Sequence, residues 1–332
     1  MAAYPAENLL LAERVMARNM ANEEMMAYLT EPLRQVAQHH LKPGETVLTA
    51  IYTHPTDTLT STRRLWFTGH RQVHHPARAF ILTPQRALVV EDPTDPHVST
   101  ADHQYVFASC LLDHVIFFEM RAHLLDCALT LVMAGPGGPE RVTIAYNGVA
   151  ENAFLAAVAC MYALIVGRPL PPYVRPGETY ARERSNAMKD WHRALAGLDL
   201  RQENAVIHYL VAGERIYEWL SVPMIDERAW WQRFSIGAHE QPPAVLVRTD
   251  RQMLLVKEVK RVIRGQTSYG TESWLLPLER LQEARVVSDE RNEVWFTLEH
   301  MGVTDVVRLP IPSELAERVL ALVMPPLSTP GS

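Results

Sequence analysis

VRTDRQMLLVKE, Val247 to Glu258, repeats the pattern of ILTPQRALVVED, Ile81 to Asp92, at a spacing of 247 − 81 = 166 residues, half of the 332-residue chain. Other stretches follow the same rule. HYLVAGE, His208 to Glu214, matches HHLKPGE, His39 to Glu45, at 214 − 45 = 169. LLDHV, Leu111 to Val115, matches PLERL, Pro277 to Leu281, at 281 − 115 = 166. NGVAENAFLAAV, Asn147 to Val158, matches the C-terminal run so that Ala150-Glu151 falls on Ala316-Glu317, again at 166. Four matches in one order point to an internal duplication.

Each half then reads alike. A helical lead-in ends at Gly-Glu, and a strand follows. Next come a hairpin around a threonine turn, further strands, and a closing helix. In the first half, Leu11, Val15, Leu29, Leu33 and Val36 recur at helical spacing. Thr30-Glu31-Pro32 predicts a helix start with a hydroxyl cap and a first-turn proline. Asn147 and Ser313 stand at equivalent positions before the last helices, where capping residues belong. AGPGGPE, Ala134 to Glu140, and HMGVTD, His300 to Asp305, predict hairpin turns. Between the halves lies GRPLPPYVRPGETYARERS, Gly167 to Ser185, whose prolines cannot continue a helix or enter a sheet interior.

The composition sets outer bounds. Apolar residues make up 48% and charged ones 21%, enough for packed cores. The net charge of −6 argues against general nucleic-acid binding, which needs a basic face to replace phosphate counterions. Cys110, Cys127 and Cys160 form no CxxC pair and read as reduced thiols in a cytoplasmic protein. The opening MAAYPAENLLLAERV carries Glu7 and Glu13 around a short leucine run, unlike a signal peptide. Asn152 to Gly167 is free of charge, but it is shorter than the about 20 residues of a spanning helix. A buried helix of a soluble protein is expected there.

At this point the residues resemble a family. PAVLVRTDRQMLLVKE, SYGTESWLLPLERLQEARVV and the closing SELAERVLALVM are similar to bacterial PH-like domains. The carrying motifs are Thr249-Asp250-Arg251, Leu276 to Leu281, and Ser313 to Met324. Thr83-Pro84-Gln85-Arg86 and Leu111 to Val115 stand in for them in the first half, with Leu111 in place of Pro277. The resemblance implies a mainly β chain with flanking helices (α+β). It would hold two tandem PH-like bent β-sandwich or barrel domains, each with a helical lead-in and a C-terminal capping helix. The short strands and frequent turns support the same class. The stripe Leu315, Val319, Leu322, Val323 suits a helix covering a barrel end. The expected order is a lead-in at 1–40 and a PH-like domain at 41–166. A linker at 167–185, a second lead-in at 186–209 and a second PH-like domain at 210–326 follow. PH-like folds vary in their sites, so the fold alone gives no function.

No catalytic signature appears. GxSxG, Walker A, HExxH and GxGxxG are absent, and Ser185 to Lys189 has the wrong spacing for SxxK. The chain reads as a non-enzyme with no cofactor. His70, His74, His75, His97 and His103 cluster in the first half. Strand alternation turns His74 and His75 apart, so scattered surface histidines are expected rather than a metal site. Trp219, Trp230, Trp231 and Phe234 are either packing residues or a partner platform, and alternation exposes one of Trp230 and Trp231. Met16, Met20, Met25 and Met26 suit a partner-facing helix or packing on their own domain.

The repeats differ most in charge. After the matched strand the first copy runs EDPTDP, with Glu91, Asp92 and Asp95. The second runs KEVKRVIRG, with Lys257, Lys260, Arg261 and Arg264. The same tip is thus expected to be acidic in one copy and basic in the other. Such tips suit head-to-tail association or contact with anionic lipid. The sequence therefore suggests a non-catalytic scaffold that binds a protein partner or itself, with anionic-lipid reading by the basic tip as the alternative.

Overall fold

Short runs rich in valine, leucine and isoleucine, closed by turn residues, make strand the commonest element of this chain, with helices at the ends of each repeat. A computed structural model describes residues 22–64, 67–96, 98, 105–123, 126–167, 176–211, 213–226, 240–263, 266–288 and 292–323. The protein is mainly β with several helices. The chain divides into two compact units. One takes Met1–Asp113 with Ala145–Pro172, and the other takes His114–Ile144 with Tyr173–Ser332.

In the first unit, helix α1 (Glu31–His40) starts with Pro32 in its first turn and ends with His39 and His40, which suit the negative helix end. Thr30 sits at the N-cap position, but its hydroxyl makes no capping hydrogen bond, contrary to expectation. Strands β1 (Thr49–Thr53), β4 (Arg78–Leu82), β5 (Arg86–Glu91) and β6 (Val106–Leu111) form one antiparallel sheet in that order. Strands β2 (Thr56–Arg64) and β3 (Phe67–His75) make a separate hairpin. Met26, Leu29, Leu33 and Ala37 cover Ala79, Ile81, Leu88 and Val90 on one sheet face. Met26 therefore packs on its own domain.

Helix α2 (Glu151–Ile165) closes the first repeat. Asn147 caps the turn before it by accepting from the Val149 amide. Phe154 stacks on Tyr146 at 4.1 Å and meets Phe80 at 5.5 Å. Ten consecutive residues, Phe154 to Ala163, are buried. Burial on every side accounts for a helix that is apolar all round. Its length and hydropathy, over Gly148–Ile165, match those of a membrane span.

The second unit is built on a seven-stranded sheet. Its own strands are β10 (Ile216–Val222), β13 (Ala244–Thr249), β14 (Gln252–Ile263) and β15 (Gln266–Pro277), while β11 (Ile225–Asp226) and β12 (Glu240–Gln241) pair separately. Three strands of the first repeat extend it: β7 (Val115–His123), β8 (Asp126–Gly135) and β9 (Gly138–Asn147), whose last residues return to the first unit. Strands β16 (Leu281–Ser288), β17 (Asn292–His300) and β18 (Val303–Pro310) form a second sheet. Helix α5 (Ala316–Val323) seats Val319, Leu322 and Val323 in the core with Leu246, Met253, Leu276 and Phe296. Ile116, Phe117 and Val132 join that same core.

The backbone register bears the duplication. Ile81 opposes Leu88, and Val247 opposes Leu254. Arg86 opposes Leu111, and Gln252 opposes Pro277. Each residue lies 166 from its counterpart. Upstream, Ile51 opposes Phe80 and Leu220 opposes Leu246, giving 220 − 51 = 169. Even the register shift between Val115 and Phe117 recurs between Leu281 and Glu283.

Two expectations about boundaries change. A sequential domain at 41–166 differs from the compact division, because β7 hydrogen-bonds to β15 from Phe118↔Leu275 to Ala122↔Thr271. The linker expected over 167–185 is shorter. Helix α3 (Pro176–Ala194) begins at its last proline, since a proline in the first turn has no amide bond to lose. Helix α4 (Leu200–Tyr209) follows, capped by Asp199, whose carboxylate accepts from the Arg201 and Gln202 amides.

The β15–β7 pairing needs a glycine. A Cβ at Gly270 would lie 2.5 Å from the Ala122 carbonyl oxygen and 2.9 Å from the His123 Cβ. Gly270→Val therefore forces the two strands apart. It is expected to lower unfolding free energy by about 1–3 kcal/mol in urea titration.

Candidate functional site

Each repeat carries one buried carboxylate at the turn that leads from helix to sheet. In the first, Gly44 turns the chain with φ 84°, and Glu45 follows. The Glu45 carboxylate accepts from the Lys42 amide at 2.8 Å and the Thr83 hydroxyl at 3.2 Å. It also takes both Nε and Nη2 of Arg86 at 2.8 Å. Arg86 reaches on to the His40 carbonyl at 2.7 Å and the Ser109 hydroxyl at 3.1 Å. The Arg86 hydrogen bond is the main reason that the Glu45 pKa lies below its usual value.

In the second repeat, Gly213 turns with φ 83°, and Glu214 follows. Its carboxylate accepts from the Val211 amide at 2.9 Å, the Thr249 hydroxyl at 3.3 Å and the Gln252 amide at 3.1 Å. Gln252 stands where Arg86 stands, 166 residues on. The two clamps share their geometry and differ in one charge.

A polar cleft of about 300 Å³ lies on the seven-stranded sheet, lined by Glu119, Arg121, Thr130, Thr143, Glu272 and Trp274 among others. Beside it, Arg141 binds Asp305 at 2.5 Å and approaches Glu119 at 3.7 Å. Burial is the leading cause that raises the Glu119 pKa, with Arg141 opposing it and Asp305 and Glu272 adding to it. The pairs tie β9 to β18 and β7. Among the described residues, no group of three or more His, Cys, Asp or Glu is placed to hold a metal ion.

The outward face of the three-stranded sheet is different. Trp295 on β17 is opposed by Arg285 on β16 and Arg308 on β18. The guanidinium groups lie 5.2 Å and 4.3 Å from its ring centre. Both arginines are exposed and Trp295 is half-buried. Its indole N–H donates to Glu293 at 3.0 Å. The β16 strand has β17 as its one strand neighbour among the described residues.

The charge asymmetry takes another form than the sequence suggested. The acidic run is a turn: Glu91 pairs with Arg78 at 2.7 Å, Asp92 accepts from the Thr94 amide and hydroxyl, and Asp95 meets His74 at 3.1 Å. The basic run is strand. Lys257 opposes Ala244 and Glu272, Lys260 opposes Tyr269, and Arg261 opposes Ser268. Pro93 has no amide for a ladder, whereas Val259, Val262 and Ile263 favour one. The two are thus not one tip with opposite charges. Arg264, Trp230, Trp231, Phe234, His97, His103, Met16 and Met20 lie outside the described residues. Trp219 is on β10 and donates to the Ala194 carbonyl at 3.1 Å.

Sequence reasoning matched the Gly-Glu pairs and the threonine turns but did not join them into clamps. The signal was there: a Gly-Glu in each copy, followed by Thr83-x-x-Arg86 or Thr249-x-x-Gln252. The Arg285–Trp295–Arg308 face had no local signal, because its members come together only through strand register. No protein-family model, curated protein or solved structure matches this chain.

Removing the cation of the first clamp leaves Glu45 buried and uncompensated. Arg86→Leu is expected to destabilise the protein by about 3–5 kcal/mol. The check is urea unfolding at pH 7, with Glu45→Gln/Arg86→Leu as a comparator that recovers part of the loss.

Proposed function

We propose that this protein is a non-catalytic scaffold of duplicated PH-like domains that binds a protein partner or itself. The observation that supports this best is the Arg285–Trp295–Arg308 face beside the β16 edge. Tryptophan and arginine are the residue types most enriched at energetic hot spots of interfaces. A strand with one neighbour offers backbone donors and acceptors for strand addition. The chain already uses that mode once, where β7 joins β15.

The experiment is a comparison of the wild type with Arg285→Ala/Trp295→Ala/Arg308→Ala. Sedimentation velocity reads self-association, and a photo-crosslinker at Ser288 reads a discrete partner in cells that make the protein. One of these signals is expected in the wild type and is lost in the variant at unchanged melting temperature. A folded triple variant that keeps the signal removes this reading.

A second reading is anionic-lipid contact. The β14–β15 ladder continues past the last residues paired with β13 and β7, from Val259↔Gly270 to Ile263↔Gln266. It carries Lys260 and Arg261. Each basic residue near an anionic surface contributes about 1 kcal/mol. Neutralising Lys257, Lys260, Arg261 and Arg264 is then expected to abolish sedimentation with phosphatidylserine vesicles at low salt. Full binding by that variant excludes this route.

A further inference from the structure

The second clamp differs from the first in a way that makes it sensitive to protons. Glu214 is buried, with 4% of its surface exposed. Its backbone carbonyl accepts from the Trp191 indole N–H at 2.9 Å. Its side chain accepts from the end of α4 at Val211 and from the β13–β14 turn at Thr249 and Gln252. One residue therefore ties α3, α4 and the sheet together.

Among the described residues, no cation hydrogen-bonds the Glu214 carboxylate as Arg86 does that of Glu45. The charged groups that face it are Arg251 and Asp250, both on the β13–β14 turn. The Arg251 guanidinium bonds the Gly213 carbonyl at 3.3 Å and approaches Asp250 at 3.8 Å. The α3 and α4 sides present the Trp191 indole and the Val211 amide. Gln252 is fully buried, and among the described residues its side-chain oxygen has no hydrogen-bond partner. A protonated carboxyl needs an acceptor, and rotation of the Gln252 amide supplies one. The ionised form keeps the amide N–H. The neutral glutamine can thus serve both states, which an arginine cannot.

We propose that Glu214 and Gln252 form a proton-operated latch that holds the α3–α4 lead-in on the sheet of the second unit. Desolvation by burial raises the Glu214 pKa from 4.5 to about 7. The sign follows from linkage. An acid whose folded pKa is raised stabilises the fold fully below pH 4.5. That contribution is lost as pH rises through about 7. The latch is therefore tightest below pH 4.5, loosens as pH rises toward about 7, and loosens no further above it. Across that window the shift corresponds to a rise of about two orders of magnitude in the opening equilibrium constant.

The test is a pH titration from 5 to 8.5 of the Trp191 indole N–H resonance in the full chain. The wild type is expected to titrate with a midpoint near neutrality. Gln252→Arg restores the cation of the first clamp and is expected to remove that titration, as is Glu214→Gln. Urea unfolding should show the wild type losing stability from pH 5 to 8 relative to Gln252→Arg. A wild-type resonance that does not move between pH 5 and 8.5 overturns the proposal. So does a titration that persists in Gln252→Arg, the variant that keeps Glu214 should Glu214→Gln fail to fold.

Discussion

The second unit depends on five residue pairs, Phe118↔Leu275 through Ala122↔Thr271, where a strand of the first repeat adds to a strand of the second. Antiparallel register has a period of two, so a slip by one residue would exchange the two faces of β7. Ile116 and Val132 would then leave the core they share with Leu246 and Phe296. Packing of these side chains holds the register. The chain admits the close approach by placing glycine at 270, where any side chain would meet the neighbouring backbone. Strands His114–Ile144 belong by sequence to one repeat and by packing to the other unit.

Within each repeat the comparable constraint is the buried carboxylate. A helix end and a strand turn both leave backbone groups to be satisfied. Glu45 and Glu214 meet that need by accepting from the amide three residues back and from the threonine of the next turn. Burying a charge is tolerable when a cation completes it, as Arg86 does. The second repeat keeps the glutamate, the glycine and the threonine and changes the cation. Geometry is retained while the electrostatics diverge, so the two sites answer differently to pH although their backbones follow one template.

Much of this architecture was readable in the residues. The 166- and 169-residue offsets predicted which strands are equivalent, and the ladder pairs carry the same offsets. The buried helix at Asn152 was readable because a charge-free run of that length, flanked by Glu151 and Arg168, needs a core. The β7–β15 junction was not readable. A sequence repeat says which segments resemble each other and not which copy each one pairs with. The charge tips were misjudged for a related reason. Equal spacing was taken as equal structure, but Pro93 ends one strand where Val259 and Val262 prolong the other.

The two repeats diverge outside what holds them together. The glycine turns, the threonine turns and the bulge are shared, and each supports the backbone. The changes fall on the cation of the clamp, on the hairpin that is a turn in one copy and an arm in the other, and on the outer strand faces. Glu119 on β7 corresponds by offset to Arg285 on β16. The first is tied to Arg141 at the seam, and the second lies exposed over Trp295. One copy of that position is consumed by the internal junction, and the other faces solvent. The same structural position thus lies at an internal strand pairing in one repeat and on an exposed face in the other. If the chain is the scaffold proposed above, the exposed copy of that position, in the second repeat, is the one open to a partner.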